Sequence, residues 1–92
     1  MKRYVIERDM PSVGSMEREQ FRAAAQKSND VLTRLGTDIQ WVQSFVSADK
    51  IYCVYLATGE DLIRKHAEMS GFPASKISEI KRIIDPTTAD AA

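Results

Sequence analysis

The chain has 92 residues, enough for one domain and too few for two. Thirteen Lys and Arg balance thirteen Asp and Glu, and a formal charge of zero argues against nucleic acid or an anionic membrane as the main partner, since both select an excess of basic residues. One cysteine cannot form an intrachain disulfide, and no apolar run is long enough for a signal peptide or a membrane-spanning helix, so a cytoplasmic protein is expected.

In chain order, the β-branched and aromatic run Tyr4-Val5-Ile6 predicts a first strand over 3–9, ended by the turn-forming stretch Asp9-Met10-Pro11-Ser12-Val13-Gly14. Ser15 is a suitable N-cap, with Glu17 and Glu19 where the helix dipole favours acids. Phe21, Ala24, Ala25, Ser28, Val31, Leu32 and Leu35 recur at helical spacing, and Gly36 follows as a terminator, which predicts a helix from about 16 to about 35. Strands are expected over 39–46 and 51–57, joined by the short polar link Ser47-Ala48-Asp49-Lys50. Thr58 to Asp61 has capping-box spacing and opens a second helix with Leu62, Ile63, His66 and Ala67 on one face, closed by Gly71. A fourth strand is expected over 77–84, so that one domain spans 1–85 and residues 86–92 form a loose tail.

This order is the ferredoxin-like plan, β-α-β-β-α-β, an α+β fold with an antiparallel sheet of order 4-1-3-2 and two helices on one face. The uncovered face should then alternate apolar and polar residues. Instead, Trp41 and Phe45 fall on one parity of the second strand and Val42 and Val46 on the other, and the third strand is apolar on both. Two apolar faces predict a homodimer joined sheet to sheet, a dimeric α+β barrel.

His66 is the only histidine. The topology carries it toward the edge where strand one ends and strand three begins, near Glu7 and Cys53. A histidine, a thiolate and a carboxylate at one edge could hold a transition metal such as nickel or zinc, with affinity falling below about pH 6.5 as the imidazole protonates. The plain alternatives are a packed imidazole near a helix C-terminus, where the dipole favours the cation, a cysteine acting as a small buried hydrophobe, and a Glu7 held in an ion pair. Tyr55 and Trp41 are candidate ligand-binding residues, with Tyr4 and Tyr52, for a pocket between two sheets, although aromatic strand residues are first of all packing. No Ser-His-Asp order, Cys-x-x-Cys, paired-histidine motif or phosphate loop is present, and no organic cofactor is indicated.

The stretches Tyr4-Val5-Ile6-Glu7-Arg8-Asp9, Ala23 to Asn29, Ile39-Gln40-Trp41, Asp49 to Tyr55, His66-Ala67, Gly71-Phe72-Pro73-Ala74 and Ile83 to Thr87 together resemble a family of small bacterial proteins, first grouped as a domain of unknown function, that includes nickel-responsive, nickel-binding members. The resemblance implies a ferredoxin-like subunit, a dimer and metal binding. It departs from the nickel-binding members at the end of the first strand, where they carry histidines and this chain has Glu7 and Arg8. A carboxylate can replace an imidazole as a ligand; an arginine cannot.

Three functions are therefore carried forward. The first is a dimer that binds a metal or small ligand without catalysis, using Glu7, Cys53 and His66. The second is an enzyme with oxygenase- or isomerase-like chemistry in the inter-sheet cavity, using Tyr55, Trp41 and Glu7. The third is a structural or regulatory interaction protein.

Overall fold

A computed structural model describes residues 1–90. Its elements are β1 (Lys2–Asp9), a 3-10 turn (Val13–Ser15), α1 (Arg18–Leu35), β2 (Ile39–Val46), β3 (Lys50–Ala57), α2 (Glu60–Ser70), β4 (Lys76–Ile80) and a second 3-10 turn (Pro86–Ala89). The strands form one antiparallel sheet of order β2-β3-β1-β4, which is the expected order read from the other edge. No helix among the described residues is long and apolar enough to cross a membrane.

Alternation decides which residues face the helices. Along β1, Tyr4, Ile6 and Arg8 are buried, and their partners on β3 are Tyr55, Cys53 and Ile51. Ile39 and Ala57, paired across β2 and β3, extend this surface, and Ile63 closes over it from α2. The opposite parity, including Val5 and Glu7 on β1 and Tyr52, Val54 and Leu56 on β3, makes the other face of the sheet and is only half-buried.

Several local expectations are corrected. Ser15 does not cap α1, because its hydroxyl donates to the Ser12 carbonyl at 2.8 Å and closes the preceding turn. The helix starts two residues later, on Glu17, whose backbone N–H donates to the Gln20 side chain at 2.8 Å in a capping-box arrangement. Thr58 does not cap α2 either. Its N–H donates to the Asp38 carbonyl at 3.0 Å, which ties it to the end of the sheet, and Gly59 takes the cap position. Strand β4 stops at Ile80 rather than residue 84: Ile80 lies opposite Arg3, and Lys2 is the one residue of β1 beyond that pair. The expected loose tail contains a turn over Pro86–Ala89, capped by the Asp85 side chain accepting from Thr87 N–H at 2.9 Å; Ala91 and Ala92 lie outside the described residues.

Gly71 does close α2, at φ 78° and ψ 3°, with its N–H donating to the Ala67 carbonyl at 2.9 Å. A β-carbon there would meet only the Lys27 Nζ, at 3.8 Å, so space is not the constraint. Gly71→Ala should therefore cost about 1 kcal/mol, the price of the left-handed conformation alone. Equilibrium unfolding in urea checks it.

Candidate functional site

The parity of β2 breaks in the middle. Trp41 opposes Tyr55, but the next pair is Gln43 with Val54, so one extra residue bulges from the strand between them. Trp41 faces the helices as its partner Tyr55 does, and the bulge brings Ser44 and Val46 to that side as well, while Phe45 points to the other face opposite Tyr52. The expectation that Trp41 and Phe45 share a face fails because of this bulge. Trp41 is held by its indole N–H, which donates to the Ser44 hydroxyl at 2.9 Å.

Between α1 and the sheet lies a cavity of about 290 Å³. Its wall is mostly apolar: Trp41 and Ile51 from the sheet, Phe21 and Ala25 from α1, Met10 and Phe72 from the loops. Its volume lies near the lower end of the roughly 300–1,000 Å³ typical of ligand pockets. Five polar side chains, Arg8, Ser28, Ser44, Cys53 and Tyr55, also line it.

Arg8 is 2% exposed. Its Nε–H donates to Cys53 Sγ at 3.4 Å and its Nη1 to the Pro73 carbonyl at 2.8 Å, and its guanidinium carbon lies 5.8 Å from the centre of the Phe72 ring. Among the described residues no carboxylate pairs with it. Burial pushes the Tyr55 phenol above its ordinary pKa, with neighbouring Ser28 and Arg8 pulling the other way. The Tyr55 ring packs against His66 at a centroid distance of 5.1 Å and a tilt of 57°.

His66 is 1% exposed. Its Nε2 and the Ser28 hydroxyl are 3.0 Å apart, a hydrogen bond that joins the two helices, while its buried Nδ1 has no partner among the described residues. Whichever tautomer is present, one ring nitrogen is unsatisfied, at a cost of about 1–3 kcal/mol. Burial first, and the Arg8 charge second, hold its pKa down at about 4. The imidazole is neutral at physiological pH. The expected protonation near pH 6.5 is thus displaced downward, and the favourable helix-end cation does not form, because desolvation outweighs the dipole.

Cys53 and His66 do lie on the same side of the sheet, with Tyr55 and Trp41. Glu7 does not join them. It has the other parity of β1, its carboxylate is 3.6 Å from Lys50 Nζ, and Lys76 lies opposite it on β4. Among the described residues no three His, Cys, Asp or Glu side chains are grouped closely enough to hold a metal ion. The inter-sheet cavity proposed for an enzyme loses two of its three residues for the same reason: Trp41 and Tyr55 lie under the helices. Sequence reasoning passed over Arg8 and Ser28. The signal for Arg8 was its parity, two and four residues beyond buried Ile6 and Tyr4.

The fold and the cavity define an α+β protein of ferredoxin-like topology with a ligand-sized space between its helices and its sheet. The chain belongs to the SCO4226-like family, described as nickel responsive protein SCO4226-like, whose model matches residues 4–80. The crystal structure of SCO4226 from Streptomyces coelicolor A3(2) superposes with a TM-score of 0.74 at 16% identity, covering 89% of this chain and 99% of that one, which is a likeness of fold. No curated protein sequence matches.

Proposed function

We propose that the protein binds a small molecule without transforming it, in the cavity between α1 and the sheet, with Trp41 and Tyr55 in the wall. The observation that carries this reading is the space itself: about 290 Å³, apolar over most of its lining, with a few polar groups to orient a guest. Trp41 is the only tryptophan, so its emission reports on the cavity directly. Titration with a neutral aromatic compound, phenylacetamide, should change that emission saturably, and Ala25→Phe, which fills the space from α1, should abolish the change. No saturable change in the wild type ends the reading.

The family's description supports a second reading, a part in a nickel response. On this chain Cys53 and His66 would have to serve without Glu7. They are two donors, one with a guanidinium 3.4 Å from its sulfur and the other with Nε2 already bonded to Ser28. That set does not fit a nickel or zinc ion well, since a second cation close to the thiolate opposes the metal. Calorimetric titration of nickel and zinc into wild type and His66→Ala is expected to give no heat of binding in either. Heat in the wild type that His66→Ala removes restores the metal.

The same proposal includes a homodimer joined through the helix-free face. Val5, Tyr52, Val54, Leu56 and Ile80 are only half-buried there, and Phe45 is 53% exposed. Sedimentation should show a dimer at micromolar concentration, and Val54→Asp should shift it to monomer, because a lone carboxylate would be desolvated in the interface. A monomeric wild type removes this part.

A further inference from the structure

We infer that the cavity selects a small organic anion, an apolar carboxylate of about the size of an arylacetate, with its charged group on the Arg8 guanidinium. The inference rests on the cavity being a ligand site, and it names the ligand's chemistry.

Arginine remains charged in any protein environment, so Arg8 brings a full positive charge to a position 2% exposed. Buried charges are normally paired. Here the acceptors are a thiol sulfur and one backbone carbonyl, both formally neutral, and no carboxylate among the described residues is within ion-pair distance. Arg8 lines the cavity, with the Tyr55 hydroxyl beside it. The two acidic groups nearest in sequence, Glu7 and Asp9, have the other parity of β1 and are drawn to Lys50 at 3.6 and 3.5 Å. The strand thus sends Glu7 and Asp9 to one face and Arg8 to the other.

The surroundings have the same sign. Lys27 Nζ lies 5.9 Å from the Phe72 ring centre, and Phe72 also carries the Arg8 guanidinium, so two cations flank one aromatic side chain of the wall. Tyr55 brings a hydroxyl group beside Arg8 that can donate to a carboxylate oxygen. Beyond this corner the lining is aromatic and aliphatic, through Phe21, Trp41 and Ile51, and it excludes a strongly hydrated anion such as free phosphate. The guest that satisfies both parts has one carboxylate and an apolar body small enough for about 290 Å³.

The test follows Trp41 emission during titration with phenylacetate and with its neutral isostere phenylacetamide. In the wild type, phenylacetate should bind about tenfold or more tighter, the difference a charge-assisted hydrogen bond contributes over a neutral one. Arg8→Gln should abolish that preference while leaving phenylacetamide binding in place. Equal affinities in the wild type, or a preference that survives Arg8→Gln, overturn the inference and leave the cavity as a neutral ligand site. Binding of neither compound overturns the reading on which the inference rests. The acid–amide comparison is made on the wild-type chain, so it decides the question of charge even where Arg8→Gln fails to fold.

Discussion

Acidification from pH 7 to pH 4 should remove up to roughly 3 kcal/mol of folding stability through His66. The imidazole has an ordinary pKa of 6.5 in the unfolded chain and about 4 in the folded one. Above 6.5 both states are neutral and the group contributes no pH dependence. Between 6.5 and about 4 the unfolded chain takes up a proton that the folded chain refuses, so stability falls with pH at roughly 1.4 kcal/mol per unit. Below about 4 both states are protonated and the loss levels off. His66→Phe should flatten the stability profile across this window while lowering stability at every pH, since the Ser28 hydroxyl loses its 3.0 Å partner. Urea unfolding at half-unit steps of pH, run on both proteins, measures the difference. Glu79 and Asp85, whose pKa values are lowered by a hydrogen bond from Lys81 and from Thr87 respectively, add acid sensitivity of their own, but it is common to both proteins and cancels in the comparison. Parallel profiles between pH 6.5 and 4 would show that the unfolded and folded imidazoles titrate together.

Ile6→Ala should cost about 2–5 kcal/mol, the range for removing a fully buried branched side chain without local collapse. Ile6 is 0% exposed and sits on the most central strand pair, opposite Cys53 on β3 and Ile77 on β4. Its neighbours are strand residues on both sides, held in register by the ladder, so the gap cannot close by a helix shift alone. A domain of this size has a total stability of roughly 5–15 kcal/mol, and the substitution should take a large share of it. Thermal unfolding checks the result, and a midpoint within a degree or two of the wild type would show that the site relaxes fully. The effect bears on the ligand site as well, because Ile6 supports Cys53 from the next strand.

The element order was legible in the sequence because it depends on local patterns, the sheet order because crossovers are right-handed, and the family because particular stretches resemble it. Alternating β-branched runs, a long amphipathic helix and Gly71 after α2 are each recorded within a few consecutive residues. Helix starts were less legible, since Ser15 and Thr58 have suitable cap chemistry but were taken by a turn and by the edge of the sheet. The site was least legible. Glu7, Cys53 and His66 are near one another in topology, yet a strand turns successive side chains to opposite faces, so Glu7 and Arg8 part company at a single peptide bond. Phe45 was separated from Trp41 because one bulged residue reverses the face of everything after it, and a bulge leaves no mark in the hydrophobic pattern. Composition and periodicity by themselves determined a ferredoxin-like α+β domain with no charge bias and a single histidine and cysteine as its soft donors. Only the tertiary structure decided that those donors lie under the helices without Glu7, that His66 is buried and neutral, and that Arg8 faces an apolar cavity without a counter-ion among the described residues, because burial and pairing are properties of the packed face and not of the chain.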